Sequence, residues 1–454
     1  MREKRVKSYA EAEYFLAELP KHTVKSPFDK TKGFYEFLQG EVSEAQLGRI
    51  IHVAGTNGKG SVCAFLRQIF LESGYHVGMF ISPHLITTRE RFVIDGDMVS
   101  EEQFVGAFNW LADRIDAYRA VENDYAPAYF ERLFFMGMYL FAKAGVDITV
   151  LETGLGGRLD TTNVIKSPAL CVITEIGLDH MEYLGGTVEQ IAEEKAGIIK
   201  PGVPVVFLER KKEAFDVFVR KASECGSKCY IVSENEYKIN EITKKFIDFS
   251  VFTRYDDYNR FTVRTPALYQ VENAAIAIKA CEALADAGGF ERLGAASIKA
   301  GIENMRWAGR MEEILPNVYI DGAHNEDGME AFVRSLQNAA DLESCMIIFS
   351  VVRDKQYDRM IEMLCGLDMA EEFVVTHIPG ERGAELCGLA EQFRRCTGKE
   401  VHAFEQIEDA VMYCIDKRDD TACSVYIVGS LYLAGAVRRL LDNRMKKQIF
   451  GGFL

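Results

Sequence analysis

The feature that constrains this chain most is a glycine-rich turn set between an apolar strand and an amphipathic helix. It reads Ile51-His-Val-Ala-Gly-Thr-Asn-Gly-Lys-Gly-Ser61, and the helix continues with Val62, Phe65, Leu66, Ile69 and Phe70. A strand that enters a helix through such a turn belongs to layered α/β architectures. Gly55, Gly58 and Gly60 let the backbone turn tightly and aim its N–H groups inward, with Thr56 and Asn57 completing the loop. The helix N-terminus adds a partial positive charge that favours an anion. Lys59 has the reach for the β- and γ-phosphates of a nucleotide, and the Ser61 hydroxyl suits Mg²⁺. The spacing departs from a strict Walker A pattern, because Gly60 separates Lys59 from Ser61 and Gly55 lies close to Gly58.

The rest of the chain agrees with layered α/β structure. Short β-branched runs alternate with helical stretches, which implies a largely parallel sheet covered on both faces. Strands are expected at 49–53, 77–81, 148–151, 170–174, 205–208, 318–320, 346–350, 373–377 and 425–428. Helices are expected at 61–73, 129–144, 188–199 and 270–287, with the apolar run Leu133 to Ala142 buried. The polar, aromatic segment Asn235 to Thr265 reads as antiparallel strands attached to the first domain. A length of 454 residues suits two or three domains. The alternation restarts after Gly301 to Trp307, so the expected division is 1–304 and 305–454.

Composition narrows the function. The 53 basic and 68 acidic residues give a net charge of −15, which argues against general nucleic-acid binding. No run approaches the roughly 18–20 apolar residues that span a bilayer, and the charged N-terminus does not read as a secretory signal. The 11 cysteines show no zinc-site spacing, Cys225 and Cys229 being the closest pair. Reduced thiols and a cytoplasmic protein, with no nucleic-acid or membrane partner, are expected.

Further segments, in order, build a resemblance. They are Phe80-Ile-Ser-Pro-His-Leu85, Leu151-Glu-Thr-Gly-Leu-Gly-Gly-Arg-Leu-Asp-Thr-Thr-Asn163, Gly177-Leu-Asp-His180 and Glu194-Lys-Ala-Gly-Ile-Ile-Lys-Pro-Gly202. Gln270-Val-Glu-Asn-Ala274, Trp307-Ala-Gly-Arg310, Asp321-Gly-Ala-His-Asn325 and Gly429-Ser-Leu-Tyr432 follow. With the loop at 55–61, this series resembles the folylpolyglutamate synthase and dihydrofolate synthase family of the Mur ligase superfamily. The resemblance implies a P-loop-containing Mur-ligase-like domain with a mainly parallel sheet and a smaller Rossmann-like α/β C-terminal domain. It implies ATP-dependent joining of L-glutamate to a folate or to dihydropteroate through an acyl phosphate, with small-molecule substrates and a monomeric enzyme. Another Mur-type amide ligase, or a P-loop NTPase without a ligase step, are the alternative readings.

The resemblance also assigns residues. Ser82, Glu152 and His180 would hold one Mg²⁺, and Lys195, carbamylated, would support a second ion. Asn273 would face the adenine, and Arg310 would reach the ATP phosphates. Asp321, His324 and Ser430 match positions tied to ribose and glutamate, and Asp160 and Thr161 positions near the pterin. Taken alone, the same residues have bland readings. Ser82 would be a helix N-cap before Pro83, and His180 a satisfied core histidine. Lys195 would lie on a solvated charged face, and Arg310 in an interdomain salt bridge. Pro127-Ala-Tyr-Phe-Glu131, Thr88-Arg-Glu-Arg91 and the stretch Gln39 to Gly48 depart from the family pattern on the folate side.

Overall fold

The computed structural model describes residues 3–19, 27–253, 256–353, 356–378, 383–421 and 423–451. The chain divides into two compact units. The first comprises Met1–Tyr237, Val251–Asn259 and Asn273–Met305; the second comprises Lys238–Ser250, Arg260–Glu272 and Arg306–Leu454.

The first unit is built on eight strands: β1 (Arg49–Ala54), β2 (Val77–Phe80), β3 (Phe92–Ile94), β4 (Asp97–Met98), β5 (Ile148–Glu152), β6 (Leu170–Ile173), β7 (Val205–Leu208) and β8 (Cys229–Val232). Their order across the sheet is β4-β3-β2-β5-β1-β6-β7-β8. From β2 to β8 the neighbours run parallel, and β3 and β4 pair antiparallel at one edge. The register aligns the strand ends: Phe80 pairs with Leu151, Val53 with Glu152, and Ala54 with Ile173. The segments that follow β1, β2, β5 and β6 therefore leave from one edge, where open α/β sheets bind ligands.

Helices cover both faces, so the central strands are mostly apolar, with His52, Thr149 and Glu152 as buried polar exceptions. The helix Tyr129–Ala144 is buried on most of its surface, with Phe134, Phe135 and Met136 among its enclosed residues. Phe135 meets Phe34 edge to face at 4.9 Å. Behind the sheet, the helix Lys59–Glu72 packs closely on the helix Ala295–Asn304. A side chain at Gly301 would come within 2.5 Å of the Ile69 backbone, so only glycine allows this approach.

A three-stranded sheet of order β11-β10-β9 follows, made of β9 (Tyr237–Ile242), β10 (Ile247–Thr253) and β11 (Asp256–Val263). The second unit carries β12 (Glu312–Leu315), β13 (Val318–Ile320), β14 (Cys345–Phe349), β15 (Ala370–Thr376), β16 (Glu400–Phe404) and β17 (Ser424–Val428). Their order is β12-β13-β17-β14-β15-β16, parallel except for the β12–β13 pair.

Every strand and helix expected from the sequence is present, with ends shifted by a few residues at most. The elements missed at that level include β8 and β16, which lie at sheet edges and stay partly exposed. In β16 the exposed edge admits Glu400 and His402, and the uniform apolar signal of a covered strand is lost, whereas β8 is a short apolar run of four residues. One expectation needs correction. Of the segment Asn235 to Thr265, only the parts up to Tyr237 and Val251–Asn259 cluster with the first unit; Lys238–Ser250 and the residues from Arg260 belong to the second. Arg260, for example, pairs with Asp248 at 2.7 Å within the second unit.

Phe135 is fully enclosed. Phe135→Ala should lower stability by roughly 3–5 kcal/mol through lost burial and a residual cavity. A fall in the urea midpoint is the expected readout; an unchanged midpoint would mean that the aromatic cluster repacks without cost.

Candidate active site

The loop after β1 is held by the segment after β6. The backbone N–H groups of Thr56 and Asn57 donate to the Glu175 carbonyl at 2.7 and 3.3 Å. The Thr174 hydroxyl donates to the Asn57 carbonyl at 2.6 Å, and the Thr56 hydroxyl to the Gly177 carbonyl at 3.2 Å. Thr174 also explains Gly55: a Cβ there would lie 1.8 Å from its hydroxyl. Gly58, at φ 85°, opens the helix Lys59–Glu72 in the left-handed region that glycine tolerates. A Cβ on Gly58 would meet the Asn273 amide oxygen at 2.3 Å, so Asn273 lies directly against the loop. Ser61 is buried in the first turn of the helix, and Gly60 precedes it.

Two lysines converge on one carbonyl. Lys59 Nζ donates to the Gly55 and Thr56 carbonyls at 3.0 and 3.1 Å. Lys195 Nζ donates to the same Gly55 carbonyl at 2.6 Å. Lys195 is buried, so the solvated-face reading fails for it. Its acidic neighbours turn outward instead, Glu194 to Arg158 at 2.6 Å and Glu193 to Arg220. Burial pushes the Lys195 amine well below the ordinary lysine range, and the nearby Lys59 charge lowers it further. Asp179 and Asp160 pull weakly the other way.

The residues assigned to a metal lie on the same strand-end edge. Glu152 ends β5, is buried, and accepts the Ser82 backbone N–H at 2.9 Å. Ser82 follows β2 in a non-helical segment, so it caps no helix. His180 precedes the short helix Met181–Leu184 in the left-handed conformation, at φ 52°. Its side chain is 46% exposed, which rules out a core histidine. Ser82 and Glu152 lie at the ends of adjacent parallel strands and His180 in the segment beyond β6, and a carboxylate, a hydroxyl and an imidazole are donors that a partly hydrated Mg²⁺ shell can accept.

The folate-side motifs also meet. Arg91 is buried, donates to His84 Nδ1 at 2.9 Å, and lies over the Tyr129 ring at 5.5 Å. Three separate sequence segments, 80–85, 88–91 and 127–131, thus share one cluster. Asp160 is engaged by its own loop. Its Oδ2 accepts from the Gly154 and Leu155 amides at 3.1 and 2.9 Å, and its Oδ1 from the Thr162 amide and hydroxyl at 3.0 and 2.6 Å. It clamps the loop after β5, and Thr161 opens the short 3₁₀ turn that follows.

Beneath this clamp lies a residue whose role the sequence did not signal. His52 on β1 is fully buried, with Nε2 2.8 Å from the Thr162 hydroxyl. The hydroxyl hydrogen goes to Asp160, so Thr162 accepts from an Nε2–H imidazole. Nδ1 is then a buried lone pair with no partner among the described residues. Burial, aided by the Lys200 charge, brings the His52 pKa down to about 3.

In the second unit, β13 and β17 are adjacent and parallel, so Asp321 and Ser430 leave the sheet at one edge. The Gly429 amide donates to the Ala323 carbonyl at 3.1 Å, which ties the two loops. Asp321 is buried and accepts from the Tyr269 hydroxyl at 2.5 Å and from the Met311 and Ala323 amides, each at 2.8 Å. Burial raises its pKa, opposed chiefly by Arg310. Arg310 donates to the Gly309 carbonyl at 2.9 Å and occupies the space left by Gly322, where a Cβ would sit 2.3 Å from its guanidinium. His324 Nδ1 lies 2.7 Å from the Gly322 carbonyl, which assigns the hydrogen to Nδ1. Ser430 is buried and accepts the Tyr432 amide at 3.1 Å.

The chain matches the Mur ligase middle domain over residues 134–281 and the Mur ligase glutamate ligase domain over residues 309–431. It is 34% identical over 403 residues to a dihydrofolate synthase/folylpolyglutamate synthase of Bacillus subtilis, covering 87% of this chain and 90% of that one. Among solved structures it resembles E. coli FolC in complex with DHPP and ADP, with a TM-score of 0.80 and 26% identity over 97% of this chain and 99% of that one. It also resembles a Mycobacterium tuberculosis folylpolyglutamate synthase complexed with ADP and AMPPCP, with a TM-score of 0.81 and 27% identity over 95% and 98% of the two chains.

The His52 environment predicts a pH dependence. The folded pKa lies below the unfolded value, so between pH 6.5 and about 3 the unfolded chain binds a proton that the folded chain does not. Stability should fall as pH drops through that window, by up to about 1.4 kcal/mol per pH unit. Urea midpoints of His52→Gln should fall less steeply over the same range; parallel curves for the two proteins would show that this imidazole titrates freely.

Proposed function

The chain belongs to the folylpolyglutamate synthase/dihydrofolate synthase family, and from that premise we propose how its residues divide the work of ATP-dependent glutamate ligation. The observation that carries the assignment is the convergence of Lys59 and Lys195 on the Gly55 carbonyl. It places the Lys59 amine and the N-terminus of the helix Lys59–Glu72 where a nucleotide's phosphates would lie.

In our reading, residues 1–304 bind ATP and the folate, and residues 305–454 supply the glutamate-ligase functions. The acceptor is a reduced folate, extended by polyglutamylation, with dihydropteroate as a second acceptor. Its carboxylate oxygen bonds to the γ-phosphorus, and the bond to ADP breaks. The deprotonated amine of glutamate then attacks the acyl phosphate carbon, and inorganic phosphate leaves. Protein groups act by position and charge throughout. Thr56, Asn57, Gly58, Lys59, Gly60 and Ser61 cradle the phosphates, Asn273 faces the base, and Arg310 stabilises charge on the γ-phosphate. Asp321 serves the ribose side and holds the Arg310 loop. His324 and Ser430, tied by the Ala323–Gly429 link, would contact glutamate. Arg91, His84 and Tyr129, with Thr161 and the loop that Asp160 clamps, form the acceptor side.

Ser82, Glu152 and His180 would hold Mg²⁺, which when bound offsets charge on the transferring phosphoryl group. Lys195 meets the chemical requirement for carbamylation. A neutral amine can add CO₂ at nitrogen and release a proton to solvent, which would turn the Lys195 amine into an anionic carbamate that could support a second ion. Among the described residues no helix is long and apolar enough to cross a membrane. We take the enzyme to be a cytoplasmic monomer.

The direct test is product mass after incubation with MgATP and L-glutamate, with reduced folate in one reaction and dihydropteroate in another. Glutamyl product in both is expected. ATP hydrolysis with no product in either would overturn the acceptor. Lys59→Ala should lower kcat by roughly 10²–10³, the cost of removing one charge-stabilising donor. Normal turnover in that variant would remove the loop from the mechanism. His180→Ala should fold normally because the side chain is exposed. The Mg²⁺ concentration for half-maximal rate should rise roughly 10- to 100-fold; an unchanged Mg²⁺ response would take His180 out of the metal set.

A further inference from the structure

His52 is an unusual choice for its place. It lies on the central strand β1, between β5 and β6, with Leu151 and Cys171 as its register partners. Its Nδ1 is a buried acceptor with no partner among the described residues, and leaving a buried polar atom unmet is costly. An aliphatic side chain would avoid that cost. What the imidazole supplies is one donor, Nε2–H, aimed at Thr162.

That donor begins a directional chain. His52 Nε2–H donates to Thr162 Oγ1 at 2.8 Å, and Thr162 Oγ1–H donates to Asp160 Oδ1 at 2.6 Å. Asp160 in turn receives the amides of Gly154, Leu155 and Thr162. Its own amide donates to the Gly157 carbonyl at 3.0 Å, and the Asn163 amide donates to the Asp160 carbonyl at 2.9 Å. The loop from Gly154 to Asn163 is thereby closed on itself, and its one side-chain tether to the phosphate-loop strand in this chain of bonds is His52. Gly55 follows His52 by three residues.

We propose that His52 is a positioning residue that, through Thr162 and Asp160, sets the acceptor-side loop 154–163 against the phosphate loop and so places the acceptor carboxylate for attack on the γ-phosphate. The role rests on the ligase reading above. It requires a neutral Nε2–H donor at this point and no proton transfer. Losing the tether leaves ATP binding intact and loosens the acceptor loop.

Three variants test this. His52→Leu removes the donor, Thr162→Val breaks the second link, and His52→Gln retains an amide N–H of similar reach. His52→Leu should raise the acceptor KM or lower kcat roughly five- to tenfold, the worth of one buried hydrogen bond, with the KM for ATP unchanged. His52→Gln should recover most of the loss. Thr162→Val should match His52→Leu, and the double variant should be no worse than either, because both break one chain. Hydrogen exchange at residues 154–163 gives a readout independent of the acceptor. Exchange there should quicken in His52→Leu and return to normal in His52→Gln. Unchanged exchange in a folded His52→Leu, or additive defects in the double variant, would overturn the proposal. If the unaltered enzyme consumed neither acceptor, the ligase reading would fail, while the exchange experiment would still decide whether His52 holds the loop.

Discussion

Much of the first unit depends on one carbonyl group. Gly55 O receives both Lys59 and Lys195, at 3.0 and 2.6 Å. Two full charges so close together in a buried place repel strongly. Burial first, and the nearby Lys59 charge second, push the affinity of Lys195 for a proton well below the ordinary lysine range. The shared carbonyl ties the loop after β1 to the helix that carries Lys195. Gly55 makes this possible, because a side chain there would collide with the Thr174 hydroxyl that holds the loop from the other side.

The parallel sheets explain how distant motifs act together. Strands that run the same way end at the same edge, so whatever follows each strand is delivered to one line. In the first unit this gathers the loop after β1, Ser82 after β2, Glu152 at the end of β5 and the Thr174–His180 segment after β6. The second unit repeats the device with β13 and β17, which bring Asp321 and Ser430 to one edge. The ligase chemistry needs charge and position more than a covalent participant, and strand ends supply position without demanding long ordered loops.

Legibility followed burial. The strands covered on both faces were visible as apolar runs, and the helix Tyr129–Ala144 emerged with its expected limits. Edge strand β16 was not, since exposure lets Glu400 and His402 into it, and edge strand β8 was missed as well although its four residues are apolar. The motif residues were readable from their order along the chain, but their local roles were less so. Lys195, flanked by two glutamates, resembles a surface lysine until the helix is seen to turn it inward. Asp160 matches a family position near the pterin, and the hydrogen bonds by which it holds its own loop could not be read from the motif.

The sequence by itself determined the layered α/β class, the phosphate loop and the family, because those depend on local patterns: apolar period, glycine placement and motif order. Tertiary structure alone decided which polar groups are satisfied by the protein and which remain for chemistry. His52 shows the difference. In the sequence it is one polar residue in an apolar strand, whereas in the fold it is a buried donor whose side-chain partner among the described residues lies 110 positions away. Hydrogen bonds and proton affinities depend on what surrounds a group in space, and that is set only once the strands have been placed side by side.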